Sequence, residues 1–329
     1  MSGQKNIGIE LLRIVLMFMI VFGHCCCHGV FANERDVLVA GTTTFFAVDA
    51  FAFISGYYSI RTSIARFLKF LSLGLFWAVV VYLVSGDFRF TMGWYGNCYL
   101  VVMLFAPLIN GGVDVIFERH GARALIAFCM LVLCYTWVVW LPMSDFGILL
   151  KPSGWNPKSS MTLIVVYIVG RAFSKFNGVE RVQSRYLLLG ILVLEAITIG
   201  WAWLGRIQGG ITAQVKFWTE NSPAAILAAA MCFLLFERMK VPSRLRAFVA
   251  YMAPSMFSVY LLHEGMGRAL FEPFYRAVEV RAQSLGFGVV VACFCAAVVT
   301  FVSCCLTDFV RRSVLRILRH AWESLRKNE

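Results

Sequence analysis

Charged residues are scarce in this sequence. Only 15% of its 329 residues are charged and 60% are hydrophobic, whereas about a quarter of the residues in a soluble domain carry charge. No polar block is long enough to form a soluble domain of its own. The composition therefore excludes a soluble enzyme and predicts an all-α polytopic membrane bundle with a single domain over residues 1–329.

Acidic residues are fewer still. The chain has 18 Asp and Glu against 30 Lys and Arg, a formal net charge of +12. A basic balance can indicate nucleic-acid binding, but in a membrane protein it is typical of cytoplasmic loops that face anionic lipid. We therefore expect membrane lipid as a partner and no nucleic acid.

A disulfide framework is also missing. Most of the eleven cysteines lie inside apolar runs, where a free cysteine behaves as a small hydrophobe. The run from His24 through Cys25, Cys26 and Cys27 to His28 could suggest a metal. On a helix, however, only the two histidines share a face, and two ligands without a carboxylate make a poor zinc site. We predict no metal.

Long apolar runs are what the sequence does have. About ten segments could cross a bilayer, at residues 7–28, 37–58, 64–84, 94–113, 122–141, 160–174, 186–204, 223–236, 247–263 and 285–309. Alternate loops hold 20 and 9 of the Lys and Arg residues, with Arg13 inside the first segment. By the positive-inside rule both termini are cytoplasmic.

The C-terminal tail, residues 310–329, mixes arginines with apolar residues. This pattern fits a basic amphipathic helix on the inner leaflet, and it also fits ordinary topogenic charge after the last span. Its apolar members are Val314, Leu315, Ile317, Leu318 and Trp322.

Two ionisable residues in the first segment are the main candidates for chemistry. Arg13 and His24 are eleven residues apart, so they project from nearly the same face and lie roughly 16 Å apart along the helix axis. Arginine binds phosphate as a fork, and histidine accepts a proton near neutral pH. The alternative is structural: Arg13 pairs with Glu10 or snorkels to the headgroups, and His24 caps a helix end.

Two acids also lie inside apolar segments. Asp49 needs a buried partner, and Arg13 or His24 is the natural one. Asp49 then either orients the catalytic groups or makes a structural ion pair. Glu195 either pairs within the bundle or takes up a proton. Near Asp49, Ser55 and Tyr57 end the second segment and are candidates for substrate binding.

Three further groups could bind ligands, and each of them could instead have a purely structural role. A basic group follows the second segment and could hold nucleotide phosphates or merely anchor the third. An aromatic group starts the fourth segment and could contact a sugar or form an interfacial belt. A polar group ends the ninth segment and could line an acceptor site or simply mark a helix exit. Their members are Arg61, Arg66 and Lys69; Trp94, Tyr95 and Asn97; and His263, Glu264 and Arg268.

These pieces occur in a defined order. Arg13 and His24 are followed by VDAFAFISGYYS (48–59), the basic stretch 61–69, WYGNCYLVVMLFAPLIN (94–110) and SVYLLH (258–263). The set resembles the acyltransferase 3 family of bacterial integral-membrane acyltransferases. The pattern of that family joins an arginine–ten–histidine helix, an F-x-x-SG-[FY] helix end and a late YL-x-H segment.

The resemblance implies transfer of an acyl group, usually acetyl from acetyl-CoA, to a hydroxyl of a cell-envelope carbohydrate at the bacterial inner membrane. It implies that His24 is the essential histidine and Arg13 the essential arginine, and that Arg61 and Arg66 hold coenzyme A. Acetyl-CoA would be a co-substrate rather than a resident cofactor. Whether His24 acts as a base or first forms an acyl-imidazole stays open.

Two other functions, transport and glycosyl transfer, compete with acyl transfer as interpretations of the sequence. In a transporter or flippase for a glycolipid or small anion, Arg13, Asp49 and Glu195 would form an ion or substrate path. Transporters of this size often show repeated halves with broken helices, and the sequence shows none. A membrane glycosyltransferase would require an exposed catalytic carboxylate on an outer loop, and none stands out.

Overall fold

The computed structural model describes residues 6–27, 39–86, 88, 90–140, 158–176, 182–208, 216–285 and 288–327. All regular secondary structure in these ranges is helical, which confirms the all-α class. Short 3-10 turns lie at Thr42–Thr44 and Lys216–Trp218. The helices are α1 (Ile7–Cys27), α2 (Ala47–Tyr57), α3 (Ile64–Ser85), α4 (Gly93–Trp140), α5 (Ser160–Phe173), α6 (Ser184–Gln208), α7 (Pro223–Glu237), α8 (Ser243–Gly265), α9 (Arg268–Leu285) and α10 (Val289–Lys327).

Seven helical segments in the described residues are long and apolar enough to cross a membrane, and α5 and α7 are shorter apolar helices. The membrane class is therefore confirmed, while the count of ten and the side on which the termini lie stay predictions. The fourth and fifth predicted segments correspond to the two helical parts of α4, which are separated by non-helical backbone at Gly121. There φ is +78°, a backbone conformation that glycine adopts readily.

The C-terminal half of the chain holds two differences from the predicted segments. The amphipathic helix α9 precedes the last span, which begins at Val289 rather than at 285. The tail continues α10 without a break to Lys327, and Ile317 and Trp322 are exposed on it. Whether this part of α10 rests on the inner leaflet stays a prediction.

Serine caps set where three of the helices begin. The hydroxyls of Ser63, Ser159 and Ser222 accept hydrogen bonds from backbone N–H groups in the first turns of α3, α5 and α7. Such caps satisfy donors that have no partner inside a helix. Each of the three caps directly precedes the start of a predicted segment and agrees with it.

Burial divides the helices into an inner and an outer group. More than half of the spanning windows of α1 and α2 is buried, but less than a quarter of those of α3, α4 and α6. The outer helices expose large apolar side chains, among them Leu83, Leu108 and Leu131. An apolar exterior suits lipid contact, since lipid is as apolar as leucine. The inner helices α1 and α2 carry Arg13, His24 and Asp49.

Candidate active site

A cavity of about 420 Å³ lies between α1, α2, α3, α4 and α8. The stripe of α1 that faces it consists of Arg13, Met17, Ile20 and His24. These positions follow the i, i+4, i+7, i+11 spacing of one helix face. The expectation that Arg13 and His24 share a face is therefore confirmed, and both reach the same cavity.

Basic side chains line one part of this cavity. Arg66 and Lys69 from the first turns of α3 contribute to its wall together with Arg13. Arg61 does not line it. Instead, the backbone carbonyl oxygen of Arg61 accepts a hydrogen bond of 2.6 Å from the Arg66 guanidinium. The predicted basic group thus divides into two residues at the cavity and one that positions a neighbour through its main chain.

Arg13 also forms the ion pair that the structural alternative predicted. Its Nη1 lies 3.0 Å from Oε1 of Glu10, whose side chain is almost fully buried. Glu10 is three residues earlier on the same helix, a spacing that brings side chains together. The pairing therefore holds Arg13 in place, and the arginine still contributes to the cavity wall.

An aromatic wall forms part of the cavity lining. Its rings come from α3, α4 and α8, with Tyr95 stacked on Tyr99 at 5.8 Å and Phe70 stacked on Phe257 at 4.4 Å between centroids. The Ser55 hydroxyl lies 3.2 Å from the Tyr99 hydroxyl. Such a lining suits an extended, largely apolar chain with a few polar groups.

The predicted aromatic and helix-end residues are only partly in this wall. Trp94, Tyr95 and Ser55 line the cavity. Tyr57 packs instead against Phe233, at 4.5 Å between ring centroids. Asn97 is exposed and is not part of the lining. The structure therefore gives no support to a substrate contact by Tyr57 or Asn97.

Helix α8 brings two of the predicted polar residues to His24. Nε2 of His263 lies 2.9 Å from Nδ1 of His24, and Oε2 of Glu264 lies 3.6 Å from the same nitrogen. His263 is 2% exposed. Arg268 begins α9 and is exposed. His263 and Glu264 are thus placed to act on His24 itself rather than to form a separate acceptor surface.

A widened turn in α8 accompanies this placement. Residues Leu261–Gly265 form a π-helical turn between the α-helical part and α9. Single π-helical turns inside α-helices frequently occur at functional sites. Here the turn contains both His263 and Glu264.

Asp49 does not make the ion pair expected for it. It is fully buried, and neither carboxyl oxygen has a hydrogen-bond partner among the described residues, so it pairs with neither Arg13 nor His24. Those two side chains are engaged by Glu10 and by His263. Asp49 lies in the first turn of α2, where the helix dipole favours negative charge.

Several other sequence candidates lie away from the cavity. Glu195 is half-buried on α6 and is not part of its lining. Cys25 and Cys26 are buried, and the Cys25 carbonyl accepts a weak hydrogen bond from the Cys293 thiol. His28, the second member of the histidine pair considered for metal binding, lies outside the described residues.

Some lining residues were not among the sequence candidates. Met17 and Ile20 could have been found, since they fall on the face between Arg13 and His24. Phe257 has no comparable local signal, because it reaches the cavity only through the packing of α8. Lys158 is not part of the lining, but its Nζ lies 5.7 Å from the centre of the ring of Trp94, which is. This is a contact between a cation and an aromatic face.

The fold and the cavity define a multi-pass α-helical membrane protein. The family model for the acyltransferase domain of the acyltransferase 3 type matches residues 6–308, nearly the whole chain. The chain therefore belongs to the acyltransferase 3 family, and it is a membrane acyltransferase. No curated protein and no solved structure matches it.

Proposed function

We propose that this protein transfers an acyl group, usually acetyl, from acetyl-CoA to a hydroxyl of a cell-envelope sugar or polysaccharide precursor. The observation that carries the proposal is the single cavity that contains both a basic group, Arg13, Arg66 and Lys69, and the ring of His24. The reaction takes place in the inner membrane of a bacterium. The basic end faces the cytoplasm, where acyl-CoA is available.

The basic and the aromatic parts of the cavity wall indicate how the donor binds. Arg66 and Lys69 bind the phosphates of coenzyme A, for which charge-assisted hydrogen bonds are suited. The pantetheine arm then extends along the aromatic wall past Tyr99 toward His24. Arg13 lies between the phosphate-binding residues and His24, and it holds a polar group of the donor. The roughly 16 Å between Arg13 and His24 is thereby spanned by the donor rather than by movement of the protein.

His24 performs the chemical step. In the direct route, His24 takes the proton of the acceptor hydroxyl, the hydroxyl oxygen attacks the thioester carbonyl carbon, and the C–S bond breaks. The proton then passes to the departing thiolate, and coenzyme A leaves as the thiol. In the two-step route, His24 first attacks the thioester and carries the acyl group. Both routes require an unprotonated nitrogen on His24.

The transport hypothesis gains no support from the cavity. An ion path through Arg13, Asp49 and Glu195 requires these residues to share one passage. Arg13 lines the cavity, whereas Asp49 and Glu195 do not. Family membership also favours acyl transfer.

The test uses the full-length protein in lipid nanodiscs with [14C]acetyl-CoA. Lipopolysaccharide and lipid-linked sugar fractions of the producing strain serve as acceptors, and release of free coenzyme A is followed in parallel. We expect label on the acceptor with wild type and a loss of at least about 100-fold in His24→Ala. His320→Ala, which changes a histidine with a 73% exposed side chain, is the matched control. Unchanged labelling in His24→Ala would refute the proposed site.

A further inference from the structure

Three groups in the described residues form a chain of hydrogen bonds. Nδ1 of His263 lies 2.6 Å from the backbone carbonyl oxygen of Val259, and Nε2 of His263 lies 2.9 Å from Nδ1 of His24. Both distances are within hydrogen-bond range. The two histidines come from helices that are 239 residues apart in sequence.

The carbonyl oxygen of Val259 determines which atom donates and which accepts in each of these hydrogen bonds. A carbonyl can only accept, so Nδ1 of His263 carries the hydrogen in its bond to Val259. In a neutral imidazole the other nitrogen is then an acceptor. His263 is 2% exposed, and a buried ring is most easily accommodated in its neutral form. Nε2 of His263 therefore accepts the hydrogen bond from Nδ1–H of His24.

The direction fixes the tautomer of His24. With its hydrogen on Nδ1, the neutral His24 ring carries its lone pair on Nε2. This is the nitrogen that the proposed chemistry needs, either to take a proton or to attack the thioester. Oε2 of Glu264 lies 3.6 Å from Nδ1, so in its ionised form this carboxyl group favours the positively charged ring that results when Nε2 is protonated.

We propose that His263 is a positioning residue, which holds His24 in the tautomer with an unprotonated Nε2. The inference rests on the proposed function and adds the reacting atom to it. The Nε2 atom of His24 receives the proton of the acceptor hydroxyl as the new C–O bond forms and the C–S bond breaks, and it returns that proton to the sulfur. His263 keeps its own proton on Nδ1 throughout.

The kinetic test compares two substitutions at His263. His263→Leu removes the ring nitrogen that accepts the hydrogen bond from Nδ1–H of His24, and we expect kcat to fall roughly 100-fold while KM for acetyl-CoA stays within about twofold. In His263→Gln the amide oxygen can accept the same hydrogen bond. We therefore expect the kcat of His263→Gln to be at least about tenfold higher than that of His263→Leu. His320→Leu, at an exposed histidine, should leave both constants unchanged.

A spectroscopic test needs no stable variant at position 263. In wild-type protein labelled with 15N-histidine, solid-state NMR distinguishes protonated from unprotonated ring nitrogens, and comparison with His24→Ala assigns the His24 signals. We expect a protonated Nδ1 and an unprotonated Nε2. The opposite tautomer in wild type, or a kcat of His263→Leu within about threefold of wild type, would overturn the inference.

These outcomes separate the inference from the function on which it rests. If His24→Ala still transfers acetyl, the proposed function fails and the inference fails with it. If His24→Ala is inactive but His263→Leu is fully active, only the inference fails.

Discussion

A β-carbon on Gly56 would lie 2.1 Å from the backbone carbonyl oxygen of Tyr167. The contact is reciprocal, because a β-carbon on Gly170 would lie 2.3 Å from the carbonyl oxygen of Phe53. Helices α2 and α5 therefore touch backbone to backbone. Small residues allow this kind of close approach between membrane helices, and here it holds the helix that carries Ser55 at the cavity.

We expect Gly56→Ala to destabilise the protein by about 1–3 kcal/mol. The atoms that the new methyl group meets belong to the main chain of α5, so relief requires the two helices to separate. Apparent melting in detergent, followed by loss of the monodisperse peak in size-exclusion chromatography, measures the effect. Gly200→Ala is the control, since nothing lies within 4 Å of a β-carbon there. Equal melting of the two variants would contradict this interpretation.

Arg66 and Arg61 should differ sharply in donor binding. Arg66→Ala removes a guanidinium from the cavity wall, and we expect KM for acetyl-CoA to rise roughly tenfold with little change in kcat. Arg61→Ala keeps the backbone carbonyl to which Arg66 is bonded, so its KM should stay within about twofold of wild type. Steady-state kinetics in nanodiscs checks both. A larger effect at Arg61 than at Arg66 would show that the donor phosphates bind elsewhere.

Two buried aspartates should respond in opposite ways to replacement by asparagine. Asp49 has no hydrogen-bond partner among the described residues, so Asp49→Asn replaces a buried group that can ionise by a neutral amide of the same size, and the larger cost of burying a charge is removed. We expect an equal or higher melting temperature and retained acetyl transfer. In contrast, Nε of Arg311 lies 2.8 Å from Oδ1 of Asp308, and Asp308→Asn should cost about 1–3 kcal/mol. Loss of transfer in a well-folded Asp49→Asn would restore a catalytic role for Asp49.

The tail of α10 should be dispensable beyond Arg312. The guanidinium of Arg312 donates to the carbonyl oxygen of Tyr251, at 2.8 Å, and to the hydroxyl of Ser255, at 3.1 Å. These bonds tie α10 to α8. A chain that ends at Arg312 should therefore keep acetyl transfer, whereas Arg312→Ala should lower the melting temperature of the full chain.

Arg316→Ala, at an exposed position one turn later, is the matched control for Arg312→Ala. It should melt like wild type. If the truncated chain folds but loses activity, the tail contributes to catalysis in a way that its exposed side chains do not suggest.

Local features of the structure could be predicted from the sequence. Composition gives the helical membrane class, and serines at the starts of α3 and α5 mark where those helices begin. The shared face of Arg13 and His24 follows from helix periodicity alone. The ion pair of Arg13 with Glu10 is one of the two structural alternatives that the sequence offers for this arginine, because spacing within a single helix is enough to predict it.

Contacts between distant helices could not be predicted in the same way. Nothing near His24 in sequence indicates that His263 binds its ring, because the contact depends on how α8 packs and on the π-helical turn within it. The expected pairing of Asp49 was wrong for the same reason. Hydrophobic segments place Asp49 within the membrane but do not determine which face of α2 packs against α1.

The cavity has a consequence for the bilayer as an insulator. Under the proposed function, the cavity would admit a charged donor at one end and hold His24 near the other, and so would interrupt the apolar layer in which charges are costly. The rings of Tyr95, Tyr99 and Phe257 line the cavity and would therefore limit the movement of ions through it. If these side chains also limit the length of the acyl group, as the proposed function implies, then widening the cavity for a longer acyl chain would also open a route for protons.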